Sequence, residues 1–508
     1  MPTGRAGNFA RFISARPLAT ALTIVAIVVV ARAFGTVDAD VAWQLWIGRQ
    51  LNHGAHLYRD IVETNPPLWF WMAMPVDRLS ALVHLRSDHL LILLIGCTAA
   101  LSLGATSRLI GTMSSGRQTA VLTFAALVLV AMPGVDFAQR EHIALLGAVP
   151  YATLIGARRE REGVSAGLAI AIGAGAALGF ALKHYFLVVP VLLELWLLVS
   201  LGRKWRPIRP ETVALLAVGT LYAGAVLLWA HDYLTNMVPM LELAYGATGA
   251  KRLVDLFQPP VLAGLASIAL LFPTLRVRDE GSGTGAALTI AAVGFSCTYF
   301  IQAKGWSYHA LPMLGCATMA LAWTVIRGRN AFRLMLVAAP ALLLLPFTIA
   351  AQHALRHPEA EKDVEHAVDG MGPGETVAFV SADPSFGWNV IPEKDLRFVL
   401  RSNGFWMMQA VVANELRGGA DPRLTDLGRR VVMETVQDFE CTPPRRIIVK
   451  RPPPGVAGQF DILSFFRRDP RFASLLAHYR PVERTSVEVF ELESPLDRAP
   501  SCPRWSPV

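Results

Sequence analysis

The sequence predicts a mostly α, polytopic membrane protein with about eleven transmembrane helices and a small C-terminal extracytoplasmic α/β domain. Three observations predict it. Hydrophobic residues make up 53% of the 508 positions and charged ones only 17%, with a mean hydropathy of +0.41, too apolar for an ordinary soluble enzyme. The charge is also divided. Residues 1–351 hold 27 basic and 17 acidic side chains, whereas the remaining 157 hold 20 and 22, a density about twice as high. Finally, apolar runs near the ~20 residues that span a bilayer recur along the first part of the chain.

These runs lie near 17–34, 88–107, 118–133, 141–157, 163–181, 186–202, 211–230, 259–275, 284–302, 308–326 and 333–352. Pro67–Leu85 is apolar but carries Pro75, Asp77 and Arg78, and reads as interfacial or re-entrant. The loops between runs alternate in charge. One set holds Arg5, Arg11, Arg16, Arg108, Arg117, Arg158, Arg159, Arg161, Arg203, Lys204, Arg206, Arg276, Arg278, Arg327, Arg329 and Arg333, and is cytoplasmic by the positive-inside rule. The other holds 11 acidic residues and the histidines His53, His56, His84, His89, His142, His184, His231 and His309. The basic excess that gives a pI near 9.4 therefore orients spans, and nucleic acid is excluded as a partner.

Residues 1–352 form the transmembrane module, with a first extracytoplasmic loop over 35–87, and 353–508 form the soluble domain. An odd span count puts the N-terminus in the cytoplasm and the tail outside, in a multi-pass protein of the plasma (inner) membrane. Within the tail, 375–380, 446–450 and 486–492 read as strands and Leu424–Gln437 as a helix. The tail carries no catalytic motif and reads as a structural or acceptor-facing cap. Cys441 and Cys502 fall there, where an extracytoplasmic location would let them pair.

Four patches collect chemistry on the non-cytoplasmic side. The first follows the opening span: Asp38 and Asp40, a helix over Val41–Asn52 that carries Arg49, then Tyr58-Arg59-Asp60 and Asn65-Pro66-Pro67-Leu68. Carboxylates at a membrane edge are costly unless solvated or functional. Asp40 suits a general base, and Asp38 with Asp40 could ligate a divalent cation. An acidic pair also marks an ordinary wet helix end. The second patch is Asp136 to His142, with Arg140 able to grip a phosphate or simply to pair with Glu141. The third is Lys183-His184-Tyr185 and the fourth Gln302 to Pro312, with Lys304, Trp306, Tyr308 and His309. Cations and aromatic rings there suit a lipid phosphate, and also an ordinary aromatic belt with snorkelling lysines.

The spacing Asp40, Arg49-Gln50-Leu51, Gly54, Tyr58-Arg59-Asp60 and Pro66-Pro67-Leu68 resembles the first extracytoplasmic loop of GT-C fold integral membrane glycosyltransferases. It is closest to the protein O-mannosyltransferase and lipid A aminoarabinose transferase group. Lys304, Tyr308, Leu311 and Pro312 are similar to a late motif of the same group. Val41 stands where the group has a second acid and Asn65 where it has lysine; Asp38 is positioned to compensate for the former. The resemblance implies an inverting glycosyltransferase of the cell envelope, using a polyprenyl-phosphate-linked sugar among membrane lipids, and a glycan, lipid or protein acceptor. It implies catalytic roles for Asp40, Asp38 and Glu141. Donor-phosphate binding falls to Lys304, His309, Tyr308, Lys183, His184 and Arg140, and acceptor or loop roles to Arg49, Tyr58, Arg59, Asp60 and Asn65. No organic cofactor is implied, and a divalent cation stays open, with Asp38 and Asp40 its ligands. A polyprenyl-linked sugar flippase is the alternative from another class, and a glycan polymerase or ligase of similar fold another. Transporters show repeated halves and midplane charges; here no repeat is visible and only Glu194 lies mid-span.

Overall fold

The computed structural model describes residues 16–35, 37–160, 163–248, 253–277, 279, 281–328, 358–450, 461–484, 487–496, 502 and 507. The chain is mostly helical and divides into two compact units, one of Met1–Gly35, His89–Ala225 and Lys251–Leu355, the other of Thr36–Asp88, Val226–Ala250 and Arg356–Val508.

Among the described residues, six helical segments are long and apolar enough to cross a membrane: Ser87–Leu109, His184–Lys204, Pro210–Trp229, Pro259–Arg276, Ser282–Gln302 and Ser307–Arg327. Pro17–Arg32, Ser115–Ala131 and Ala166–Ala181 are apolar but shorter. The eleven sequence runs correspond to these, to Arg140–Arg159, whose ends are charged, and to 333–352, which lies outside the described residues. The first unit packs its helices through small residues, as apolar helices do when dispersion rather than solvent exclusion brings them together. A Cβ on Gly156 would lie 2.5 Å from Thr284 Cα, so Arg140–Arg159 and Ser282–Gln302 touch backbone to backbone there.

One end of this unit is a basic lock. Arg158 donates from Nε and Nη2 to both oxygens of the fully buried Glu211, at 2.9 Å each. Arg209 donates from Nε to Glu211 Oε1 (2.8 Å) and also pairs with Glu194. Glu194, the one charge expected mid-span, is thus neutralised by Arg209 and accepts from Trp205 Nε1 at 3.2 Å. Arg159 reaches Ser282 Oγ (2.9 Å) and the Val277 carbonyl (2.8 Å).

The second unit is built on a five-stranded sheet. The strands are β1 Thr376–Val380, β2 Arg397–Phe398, β3 Arg446–Lys450, β4 Tyr479–Arg484 and β5 Val487–Leu492, in spatial order β2-β1-β3-β5-β4. β2, β1 and β3 are parallel; β3–β5 and β5–β4 are antiparallel. The central strands read apolar because both faces are covered, with Val377, Phe379, Ile447 and Ile448 buried. Pro422–Cys441 buries one stripe, Leu424, Leu427, Val431, Thr435, Val436 and Phe439, as its spacing predicts.

The loop helix Ala39–Asn52 belongs to this unit. Its residues Val41–Gly48 are continuously buried, too many for one stripe, because two faces are covered. Trp43 and Trp46 stack at 4.7 Å and meet the edges of Trp388 and Phe398. On another side, Gly48 lies against Ala73 of the helix Leu68–Val83. The Val62 amide donates to the Arg401 carbonyl at 2.8 Å, and Arg401 itself donates to Asp438 (2.7 Å from Nη2). Cys441 and Cys502 form a disulfide that ties the end of Pro422–Cys441 to the C-terminal residues. Cross-linking positions 61 apart constrains the unfolded chain by ~4 kcal/mol in the loop-entropy account. Reduction, or Cys441→Ser, is therefore expected to lower the thermal midpoint of the detergent-solubilised protein; an unchanged midpoint would show the bond to be energetically idle.

Candidate functional site

Within the first unit, four helix ends meet on the side opposite the basic lock. Arg140–Arg159 begins there, Ala166–Ala181 ends there, Ser282–Gln302 ends there and Leu311–Arg327 begins there, so up-and-down connectivity alone brings their terminal residues together. Lys183 follows the second of these helices on an extended residue (φ −142°, ψ 130°) and is buried. Its Nζ donates to Glu141 Oε1 at 2.6 Å and to Gln302 Oε1 at 3.1 Å, and lies 3.1 Å from His309 Nε2. His309 Nε2 is 3.6 Å from Glu141 Oε1, beyond hydrogen-bond reach. Glu141 and His309 are buried as well, at 0% and 2% exposure. Glu141 Oε2 and His309 Nδ1 have no hydrogen-bond partner among the described residues.

The rest of the cluster is cationic and aromatic. Lys183 Nζ sits 5.6 Å from the Tyr308 ring centroid and Lys304 Nζ 4.9 Å from that of Trp306. Tyr308 meets His309 edge-on at 4.5 Å. Arg140 is buried beside Glu141 in sequence. His142 is differently employed: Nδ1 accepts from the Ala138 amide (3.0 Å), so Nε2 carries the proton and donates to the Leu129 carbonyl (2.6 Å). That carbonyl lies in the π-helical turn Leu127–Ala131. Both nitrogens of His142 are therefore committed to the fold. His184 is exposed and lies at 3.8 Å from Tyr185, ring to ring.

In the second unit, Asp38 is the N-cap of Ala39–Asn52, its Oδ1 accepting from the Asp40 amide at 3.0 Å. Asp40 stands in the first turn of that helix, half-buried, where the helix N-terminus favours negative charge. Asn65 N and Nδ2 both donate to Glu63 Oε1 (2.7 Å each), and Trp43 Nε1 donates to Glu63 Oε2 (2.5 Å). Tyr58 holds a left-handed backbone (φ 73°) and donates its hydroxyl to the Asn65 carbonyl (2.7 Å). Asp60 Oδ2 accepts from the His56 amide at 2.7 Å, Arg59 pairs with Asp232 at 2.5 Å and Arg49 with Asp395 at 3.8 Å. Among the described residues, no three His, Cys, Asp or Glu side chains come together as a metal site. With one Asp38 oxygen committed to the cap, the donor set is poor for a divalent cation.

The structure thus brings Glu141, Lys183 and His309 into one cluster, with Lys304, Tyr308 and Arg140 around it. Neither Gln302, which joins this cluster, nor Glu63, which holds Asn65 and Trp43 in the second unit, is among the site residues the sequence singles out. Gln302 stood inside the fourth patch as the last residue of a span, a position from which a side chain reaches the cluster. Glu63 had no signal beyond being an isolated acid in an otherwise apolar stretch.

No family model matches the chain and no curated protein matches it. Solved structures similar to it are archaeal oligosaccharyltransferases of Archaeoglobus fulgidus. One, in complex with Zn and sulfate, is 12% identical over 85% of this chain and 68% of its own, with a TM-score of 0.42. Another is AglB with an inhibitory peptide and a dolichol-phosphate, at 12% identity, 85% and 69% coverage and a TM-score of 0.39.

Proposed function

We propose that the protein is an inverting glycosyltransferase of the plasma membrane. It spans the bilayer about eleven times and moves a sugar from a polyprenyl-phosphate donor to a hydroxyl acceptor outside the cytoplasm. The observation that carries this reading is the cluster at one end of the first unit, buried at Arg140, Glu141, Lys183, Tyr308 and His309 and open to solvent at Lys304 and Trp306. Among the described residues Arg140, Lys183 and Lys304 outnumber the carboxylate Glu141 there. A cationic, aromatic cluster at helix ends opposite a basic lock suits a lipid-borne phosphate. The Cys441–Cys502 disulfide supports an oxidising, extracytoplasmic location for the tail.

Nucleotide sugars are confined to the cytoplasm, so a transferase acting outside draws on a membrane-borne donor. In the proposed reaction Asp40 takes the proton of the acceptor hydroxyl and the oxygen attacks the anomeric carbon. The bond from that carbon to the phosphate oxygen breaks, and polyprenyl phosphate leaves with the electron pair. One displacement inverts the configuration. Lys304, His309, Tyr308 and Arg140 stabilise the charge gathering on the phosphate. No general acid is needed, because phosphate is a good leaving group. Asp38 supports Asp40 by capping its helix, and Glu141 by pairing with Lys183. No step is routed through a metal.

The deciding test incubates the purified protein with a panel of polyprenyl-phosphate sugars and measures release of free polyprenyl phosphate. Bond cleavage with one donor supports a transferase and names the sugar; movement across liposomes without cleavage overturns the reading in favour of a flippase. Lys304→Ala is expected to raise the donor KM while the acceptor KM stays within about twofold, as removal of one charged hydrogen-bond donor would. An unchanged donor dependence removes Lys304 from the phosphate site.

A further inference from the structure

We infer that Lys183 and Glu141 are positioning residues that fix His309 as the neutral Nδ1–H tautomer, so that its one N–H donates to a phosphate oxygen of a polyprenyl phosphate. The inference rests on the donor class proposed above, but its first part stands on geometry alone. A lysine ammonium has three N–H donors and no acceptor. Lys183 Nζ lies within hydrogen-bond distance of Glu141 Oε1, Gln302 Oε1 and His309 Nε2. Two of these are oxygens that accept. The third interaction is a bond only if His309 Nε2 offers its lone pair, because a proton there would set two donors face to face at 3.1 Å. The ring proton therefore lies on Nδ1. Glu141 aligns the ammonium through its 2.6 Å bond, but at 3.6 Å from Nε2 it does not itself hold the ring.

The consequence is a buried N–H with no acceptor among the described residues, in a side chain 2% exposed. Such a group is costly unless a ligand completes it. Its surroundings select an anion. Lys183, Lys304 and Arg140 all act electrostatically on His309, and the Glu141 carboxylate is already neutralised by Lys183. A neutral imidazole adds direction to such a site without adding another charge. His142 provides the contrast within the same unit, because both of its nitrogens are spent on backbone groups and it offers nothing to a ligand.

The test is nitrogen NMR of the full-length protein in micelles with ¹⁵N-labelled histidine, the His309 signals being identified by their loss in His309→Gln. The expected wild-type spectrum at neutral pH shows Nδ1 protonated and Nε2 bare. A proton on Nε2, alone or on both nitrogens, overturns the inference whether or not the protein transfers sugar. Lys183→Met should release the ring, so that Nε2–H appears; an unchanged tautomer overturns the positioning role. Should that variant fail to fold, Lys183→Arg, which keeps a donor, should retain Nδ1–H, and loss of that tautomer counts against the inference equally. Undecaprenyl phosphate should move the Nδ1–H signal, while sodium phosphate and phosphatidylglycerol should not. A shift with either control but none with undecaprenyl phosphate, or no shift with any, overturns the ligand assignment. The expected tautomer and lipid response without sugar release in the donor panel would instead sink the transferase reading and leave the phosphate site standing.

Discussion

Asp40→Asn is expected to lower transfer by about 10²–10⁴, the usual contribution of a general base, while leaving membrane insertion unchanged and costing no more than about 1 kcal/mol of stability. The structure makes the experiment sharper than the sequence alone could, because it separates the two aspartates. Asp38 accepts the Asp40 amide through Oδ1 as the N-cap of Ala39–Asn52. Asparagine keeps such an oxygen and caps almost as well as aspartate. Asp38→Asn should therefore leave both stability and rate within about threefold of wild type, whereas Asp38→Ala should cost about 1 kcal/mol of stability through loss of the cap. Asp40→Asn removes the ability to take a proton together with a half-buried first-turn charge that contributes about 0.3–1 kcal/mol at a helix N-terminus. The pair of measurements, initial rate of polyprenyl-phosphate release and thermal midpoint in the same detergent, assigns the base. If Asp38→Asn is the variant that loses transfer and Asp40→Asn retains it, the roles are exchanged. If neither loses it, base chemistry by this loop is refuted.

How much of this was legible in the sequence follows from the range of each interaction. β1 and β3 were visible as short runs apolar on both faces, β5 by its alternation and the helix Pro422–Cys441 by its 3.6-residue period. The loop helix was visible too, as a run over Val41–Asn52, two residues short of its start at Ala39. The membership of that helix in one unit with the tail was hidden, because it depends on Trp43 and Trp46 meeting Trp388 and Phe398, more than 300 residues away. Lys183, Glu141 and His309 were each conspicuous as charge or imidazole at a helix end. Their mutual arrangement was not, since Lys183 and Glu141 stand 42 positions apart and Lys183 and His309 stand 126 apart. The third patch, Lys183-His184-Tyr185, looked like one unit in sequence. The structure divides it, with Lys183 turned into the cluster and His184 lying ring to ring with its neighbour. Glu63 escaped notice because a carboxylate satisfied by Trp43 and Asn65 has no local signature.

The second large effect is expected at that ion pair. Lys183→Met should destabilise the protein by about 3–5 kcal/mol, because it takes from the fully buried Glu141 carboxylate the cation hydrogen-bonded to it. Most of that loss is the cost of an orphaned charge rather than the value of the pair, so removing the second charge should reverse it. The double variant Lys183→Met/Glu141→Leu replaces two charges by apolar side chains of similar volume, a change that is often neutral or stabilising in a buried setting. Its stability should return to within about 1 kcal/mol of wild type. Transfer should not return with it. A purely structural pair would give a stable and active double variant, and that result would remove the cluster from the chemistry. A stable double variant with a raised donor KM and depressed turnover separates the two meanings of a buried salt bridge. It would show that these charges persist in an apolar bundle for what they present to the donor phosphate, at a cost in stability that apolar residues would not incur.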